Sequence, residues 1–277
     1  MRGVTDTFST HELLTGFAVT AATVTVVFVL TFVVARAVGR YNVIDVTWGL
    51  GFVAVALASF LWSSGHGEDT QRVLVLVLVA IWGVRLGGYI GWRSRGHGED
   101  PRYAEMLERA PGRETSYALL HIFVPQSAAM WFISLPTQVA MYERDPWTPM
   151  LVVGGVVWLV GFGFESVGDL QMARFRGDPA NKGQVMDRGL WHYTRHPNYF
   201  GDACVWWGLF LVACAQWQGL FSVLSPVLMT WTLAAKTGKP LLERDLAKRR
   251  PGYAGYIERT SGFVPRPPRS ADRARTH

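Results

Sequence analysis

The sequence lacks the residue sets on which many soluble enzymes depend. It has only two cysteines, Cys204 and Cys214. They lie ten positions apart on one predicted helix, about 15 Å of rise, which is too far for a disulfide. No Cys or His stands at metal-ligand spacing, so we predict no metal site. A Walker phosphate loop, a dinucleotide fingerprint after a strand and a Ser-His-Asp grouping are also missing.

What the chain has instead is long apolar runs. Hydrophobic residues make up 49% of its 277 positions, and the charges fall between the runs. This pattern predicts an all-α, polytopic membrane protein with about seven transmembrane helices. The first five runs can span about 30 Å of hydrocarbon, whereas the last two are short and form a predicted hairpin. The runs are Leu13–Ala35, Val43–Trp62, Val73–Trp92, Leu119–Met141, Met150–Val167, Ala203–Trp217 and Leu220–Ala235.

Basic residues are concentrated on one predicted side of the membrane. With the N-terminus outside, 23 of the 27 Lys and Arg residues fall in inner loops and the C-terminal tail. Arg2, Arg72 and Arg144 lie outside, and Arg85 lies within a helix. The positive-inside rule therefore places the C-terminus in the cytoplasm. This topology, rather than nucleic-acid binding, explains the net charge of +6.

The chain is predicted to form a single membrane domain over residues 1–277. Residues 1–141 carry isolated polar residues within apolar helices, which favours a cavity for a lipid-like substrate. Residues 148–265 carry dense polar clusters at the inner boundary, which favours binding of a charged small molecule. The basic, Pro-rich tail 266–277 is predicted to be disordered or to lie on anionic headgroups. No sequence pattern sets an oligomeric state.

The most distinctive segment runs from Gly189 to Asp202 at the start of the sixth apolar run. Polar groups at a membrane boundary are costly unless they are paired or bind a ligand. Pro197 is predicted in the first turn of a helix, whose N-terminus favours anions. A plain positive-inside flank is the alternative, but a flank has no need of Asn, Tyr or Asp. The candidate binding residues in this segment are Arg195, His196, Asn198, Tyr199 and Asp202.

Two acids precede this segment on the fifth predicted helix. Glu165 and Asp169 are four residues apart and share a helix face. Carboxylates there can accept hydrogen bonds from a ribose or an amide, and the following Arg174 and Arg176 can bind phosphate. The alternative is an internal ion pair of either acid with Arg174 or Arg195.

The C-terminal segment contains a second group of candidates. The candidates are Lys239, Glu243, Tyr253 and Tyr256. Glu243 and Asp245, followed by Tyr253-x-x-Tyr256, are predicted to form a short amphipathic helix that folds back under the bundle. For the two tyrosines, anchoring at the membrane interface is the alternative.

An acid, Asp45, lies in the second apolar run and is a functional candidate by its position. Arg85, the basic residue within the third predicted helix, is the simplest ion-pair partner for Asp45. A neutralised ion pair is therefore the alternative to a catalytic role. In the catalytic interpretation Asp45, together with Tyr89, donates a proton or polarises a carbonyl group in a dry pocket.

These motifs resemble the steroid 5-alpha-reductase superfamily, and within it the bacterial DUF1295 branch. The resemblance rests on Gly-Leu-Trp-x-Tyr-x-Arg-His-Pro-Asn-Tyr-Phe-Gly-Asp, on Asp169 and on Glu243…Tyr253-x-x-Tyr256…Phe263-Val-Pro265. It implies a seven-helix fold in the bacterial inner membrane and NADPH bound near the cytoplasmic loops. It also implies reduction of a carbon–carbon double bond in a lipid, typically a 3-oxo-Δ4 steroid. Carried over by motif, the cofactor contacts would be Glu165, Asp169, Arg176, Arg195, Asn198 and Asp202, with His196, Tyr199 and the Glu243–Tyr256 segment less firmly implied.

The chain departs from the steroid-reducing members in the second helix. Those members carry a Gln-Glu pair there, whereas this chain reads Ile44-Asp45-Val46. A family tyrosine falls near Trp82, with Tyr89 one or two turns away. The alternative function is an S-adenosylmethionine-dependent methyltransferase of the isoprenylcysteine carboxyl methyltransferase type, which also carries Arg-His-Pro-x-Tyr. Asn198 favours the reductases.

Overall fold

A computed structural model describes residues 10–236, 243, 250 and 252–269. Within these ranges the regular elements are helices, and the only bridge between extended residues joins Thr194 to Ser261. In chain order the α-helices are α1 Thr10–Val38, α2 Ile44–Trp62, α3 Asp69–Arg93, α4 Pro101–Leu107, α5 Glu114–Ala118, α6 Val124–Ile133, α7 Leu135–Ala140, α8 Thr148–Gly177, α9 Leu190–Tyr193, α10 Pro197–Ala213, α11 Leu224–Trp231 and α12 Tyr253–Arg259.

Six helical segments in the described part of the chain are long and apolar enough to cross a membrane. The prediction of an all-α, polytopic membrane protein is therefore confirmed. The predicted run Ala203–Trp217 corresponds to α10, which begins at Pro197 as expected but has only 17 residues. At about 25 Å it is shorter than the hydrocarbon core. The six segments are Thr10–Val38, Tyr41–Trp62, Asp69–Arg93, Glu114–Ala140, Thr148–Gly177 and Trp217–Lys236.

The fourth apolar run is not one regular helix. A π-helical turn at Leu119–Phe123 separates α5 from α6, and Ser134 separates α6 from α7. The interruptions precede Pro125 and Pro136, which lack the N–H that a continuous helix requires. A π turn also changes the face on which the following residues lie.

The chain forms two compact units. In unit 1, which comprises residues 10–151 and 212–225, α2 packs very closely on α3. A Cβ at Gly49 would lie 2.3 Å from the carbonyl oxygen of Gly83, so only glycine fits there. Hydrogen bonds between hydroxyl and amide side chains connect α1 to its neighbours. Thr31 bonds Thr47 at 2.9 Å, and Thr20 donates to Gln138 at 2.5 Å.

Unit 2 comprises residues 152–211 and the described residues from 226 to 269. Its central contact is between α8 and α10. A Cβ at Gly201 would lie 2.4 Å from the backbone nitrogen of Glu165, so the two helix backbones touch there. Farther along, Pro197 lies against Gly168. These contacts place the polar end of α8 beside the first turns of α10.

Candidate functional site

Four polar side chains meet where α8 and α10 touch, and we call Glu165, Asp169, Asn198 and Asp202 the α8–α10 cluster. The three acids are buried, with exposed fractions of 2%, 5% and 9% in chain order. The Asn198 amide nitrogen donates to the Asp169 carboxylate at 3.2 Å. The Asn198 carbonyl oxygen is also buried but has no hydrogen-bond partner. An unsatisfied buried acceptor costs about 1–3 kcal/mol, so this oxygen can bind a donor from a ligand.

Arg195 does not pair with the acids of this cluster. Its guanidinium donates two hydrogen bonds to the Glu243 carboxylate, from Nε to Oε1 at 2.8 Å and from Nη2 to Oε2 at 3.2 Å. Its Nη1 donates to the backbone carbonyls of Ile257 and Thr260. The alternative in which Arg195 neutralises Glu165 or Asp169 is therefore wrong. A forked guanidinium suits this task because it can hold a carboxylate and backbone oxygens together.

His196 and Tyr199 complete this contact. The His196 Nε2 lies 3.0 Å from Glu243 Oε1, and the imidazole stacks on the Tyr199 ring with centroids 5.3 Å apart. Burial raises the pKa of Glu243, but hydrogen bonds from His196 and Arg195 and the Arg195 charge outweigh it and lower the pKa to about 2. Glu243 is therefore an ionised anchor for the motif.

The C-terminal segment packs directly on the motif. The predicted helix from Glu243 to Tyr256 is confirmed only in its last part, because α12 begins at Tyr253, after Gly252 in a left-handed conformation. The Tyr256 hydroxyl donates to the Trp191 carbonyl, and Thr194 Oγ1 donates to the Phe263 carbonyl at 2.8 Å. Both tyrosines are buried, which rules out membrane-interface anchoring as their main role. Lys239 lies outside the described residues.

Arg176 stands apart from the buried cluster. It lies in the last turn of α8 and is exposed. Seven residues, about 10 Å of helix, separate it from Asp169. A phosphate bound by Arg176 and a sugar bound by Asp169 would therefore belong to an extended ligand.

In unit 1, Asp45 lies in the first turn of α2. Its Oδ1 accepts from the Tyr103 hydroxyl at 2.6 Å, and its Oδ2 accepts from Arg102 Nη2 at 3.1 Å. The predicted pairing with Arg85 is wrong. Because α2 begins where α3 ends at Arg93, Arg85 lies about 12 Å from the level of Asp45.

The tyrosine at Asp45 is Tyr103 and not Tyr89. The Tyr89 ring instead contacts the guanidinium groups of Arg85 and Arg93, at 5.6 and 5.5 Å from its centroid. Sequence reasoning missed Tyr103, although Asp100-Pro101 is a helix-start signal. Asp100 indeed caps α4 by accepting from the Arg102 N–H at 2.9 Å.

The loop that carries Tyr103 is held against the start of α2. Glu99 accepts from the backbone N–H groups of Tyr41 and Asn42. Gln126 accepts from Trp48 Nε1 at 2.6 Å and lies near the Tyr103 hydroxyl. Burial and the nearby Asp45 charge raise the pKa of Tyr103. We call Asp45, Arg102, Tyr103 and Gln126 the Asp45 cluster.

One family model spans the residues of both clusters. The family model described as "Protein of unknown function (DUF1295)" matches residues 31–260. A relative in Schizosaccharomyces pombe, described as "Uncharacterized protein C594.04c", is 22% identical over 262 residues. The match covers 80% of this chain and 72% of the relative. No solved structure matches the chain.

Proposed function

The chain belongs to the DUF1295 family, and from this premise and the geometry of the α8–α10 cluster we propose that it is a membrane-embedded, NADPH-dependent reductase. Its substrate would be an apolar lipid with a carbon–carbon double bond, such as a 3-oxo-Δ4 steroid-like enone. The observation that carries the proposal is the buried Asn198 oxygen that has no partner beside Asp169. The resemblance of the surrounding motif to the steroid 5-alpha-reductases supplies the chemistry.

The residues of the cluster fit the donors that NADPH offers. Its ribose hydroxyls and carboxamide N–H groups are donors, and the cluster presents three buried carboxyl groups and the Asn198 oxygen as acceptors. Arg176 is exposed about two helical turns beyond Asp169 and suits the extra phosphate. When bound, NADPH supplies the hydride. The protein residues bind and orient it.

Reduction of a carbon–carbon double bond adds a proton as well as the hydride. We assign the role of proton donor to the Asp45 cluster. The proton at Asp45 is carried by the Tyr103 hydroxyl, which donates to Oδ1. Asp45 therefore acts as a positioning residue for Tyr103 rather than as the acid itself. General acids of this kind contribute about 10²–10⁴ to a rate.

The predicted topology supports a supply of NADPH from the cytosol. The excess of basic residues in the predicted inner loops and the tail favours a cytoplasmic C-terminus, and the proposed location is a bacterial inner membrane. The lipid substrate would enter from the bilayer. Fusion of a reporter that is active only in the cytoplasm to residue 277 should give signal, and a periplasmic reporter should not.

The decisive experiment identifies the bound nucleotide. We expect denaturation of the purified protein to release NADPH or its oxidised form, detected by mass spectrometry. Asn198→Ala should lose the nucleotide and remain folded. Asn42→Ala is the matched control, because Asn42 makes one comparable amide bond, to the Gly98 carbonyl in unit 1. Release of S-adenosylmethionine instead would contradict the proposal and favour a methyltransferase.

A further inference from the structure

A buried acid, Glu143, lies at the end of unit 1 remote from Asp45. Glu143 is in the segment between α7 and α8 and is fully buried. Its Oε2 accepts from Gln71 Nε2 at 2.6 Å, and Gln71 is itself 1% exposed in the first turns of α3. The backbone of Glu143 also accepts from the Glu68 N–H at 2.7 Å. The contact thus joins the start of α3 to the segment that precedes α8.

The remaining atoms of this pair lack partners. Glu143 Oε1 and Gln71 Oε1 are both buried, and neither makes a hydrogen bond of normal geometry, although the Gln216 backbone amide lies near the Glu143 carboxyl group. Two acceptors left in this way cost free energy, and a buried carboxylate charge costs more. A proton on Glu143 Oε1 supplies the missing donor. Because Gln71 Nε2 already donates to Glu143 Oε2, a proton directed at Gln71 Oε1 would complete a cyclic pair of two hydrogen bonds between an acid and an amide.

The surrounding charges do not neutralise Glu143. Arg72 donates to Ser63, Asp69 and the Phe60 carbonyl. Arg144 donates to the His66 carbonyl. Among the described residues, no Lys, Arg or His forms an ion pair with Glu143. The other titratable groups nearby are Glu12, His66, Glu68, Asp69, Tyr142, Asp145 and Cys214.

We propose that Glu143 and Gln71 form a proton-binding latch that closes this end of unit 1 when Glu143 is protonated. The ligand of the site is a proton, shared between the two side chains. Loss of the proton leaves a buried carboxylate beside an amide oxygen and weakens the contact between α3 and the segment before α8. The inference is independent of the proposed reductase activity.

The electrostatics of Glu143 agree with this geometry. Burial raises the pKa of Glu143 to about 8, against hydrogen bonding from Gln71 and the nearby Gln216 backbone amide. Because the folded-state pKa is raised, the stabilisation is complete below the unfolded value of 4.5. It declines as the pH increases and is lost once the pH passes about 8. On the predicted topology the latch responds to pH outside the cytoplasm.

The test combines thermal unfolding with infrared spectroscopy on the full-length protein in detergent or lipid nanodiscs. We expect the wild-type melting temperature to fall as the pH increases from 4.5 to about 8 and to show no further change from Glu143 above that. Glu143→Gln, an uncharged isostere of the protonated acid, should remove most of this fall. Asp145→Asn, which removes an exposed carboxylate two residues away, should leave it unchanged. The wild type should also show a carboxylic-acid C=O band at neutral pH that Glu143→Gln lacks.

Three results would overturn the latch. Parallel pH profiles of the wild type and Glu143→Gln would exclude a titrating Glu143. Failure of Glu143→Gln to fold would do the same, because the isostere keeps the proposed hydrogen bonds. Stabilisation of the wild type at alkaline pH by sodium but not by choline chloride, absent in Glu143→Gln, would show a cation in place of the proton. The infrared band reads the protonation state even if the variant is poorly stable.

Discussion

The two units each contain a polar cluster at a helix N-terminus, and the clusters differ in how their hydrogen bonds are satisfied. In unit 1 both oxygens of Asp45 have protein donors, Arg102 and Tyr103. In unit 2 the Asn198 amide bonds Asp169 with its nitrogen, while its oxygen is buried without a partner. The carboxylate of Asp45 therefore has all its donors within the protein, whereas the α8–α10 cluster has one buried acceptor that a ligand could satisfy.

This difference separates two roles that look alike in the sequence. A satisfied cluster holds elements together, and Asp45 holds the loop bearing α4 against the start of α2. A cluster with an unmet acceptor carries a cost that a bound donor removes. On the proposed function, this difference assigns ligand binding to the α8–α10 cluster and a positioning role to Asp45. The predictions below test this division, from the largest expected effect to the smallest.

The largest effect should come from Asn198→Ala. Loss of the amide removes both the bond to Asp169 and the acceptor offered to the ligand. We expect NADPH-dependent turnover to fall by at least about 10² while the protein elutes as a folded species. Normal turnover of the variant would contradict the ligand-binding role of the α8–α10 cluster, because the Asn198 oxygen would then have no ligand.

Asp45→Asn tests the other side of the comparison. An amide has one acceptor, so either Arg102 or Tyr103 must lose its partner, at about 1–3 kcal/mol of stability. Turnover should fall by about 10²–10⁴ with NADPH affinity nearly unchanged if Tyr103 delivers the proton. Fluorescence titration measures NADPH affinity separately from turnover, so the two effects can be distinguished.

A double-mutant cycle identifies the partner of Asp45. Coupling of Asp45 with Arg102 should be about 0.5–1 kcal/mol, since the pair is partly exposed. Coupling with Arg85 should be close to zero. A large coupling with Arg85 would mean that the observed pairing is not the one that stabilises the protein.

Glu243→Gln should loosen the C-terminal segment. The lost carboxylate is shared by Arg195 and His196, and we expect faster proteolysis after residue 236 and a moderate loss of stability. Because the pKa of Glu243 is lowered to about 2, its stabilisation is present above 4.5 and is lost as the pH falls toward 2. Thermal unfolding should therefore show a weaker acid dependence in the variant. The pH dependence of stability from Glu243 is therefore opposite in direction to that expected for Glu143.

Arg176→Ala should have the smallest effect. Arg176 is exposed, so its removal should not affect folding. We expect the KM for NADPH to increase by about tenfold and the KM for NADH to change little, because only NADPH carries the extra phosphate. Equal changes for both cofactors would remove the phosphate role from Arg176.

Much of the fold and part of the candidate site could be predicted from local patterns. Apolar length predicted the spans, and Pro197 predicted the start of α10. The four-residue spacing of Glu165 and Asp169 predicted that they share a helix face, and the structure shows α8 touching α10 at Glu165 and Gly168. The breaks before Pro125 and Pro136 were missed, because hydropathy does not register a lost backbone N–H.

The sequence by itself determined the membrane class, the helices and the motif, because hydropathy, helix capping and proline act over a few neighbouring residues. Tertiary structure decided the partners. Arg195 binds Glu243, which is 48 residues away in the sequence. Arg102 binds Asp45 at a separation of 57 residues, and Gln71 binds Glu143 at a separation of 72 residues. Hydrogen bonds act over about 3 Å, so each partner depends on which loop docks at which helix end. Spacing along the chain does not contain that information, and the packing of helices and loops supplies it.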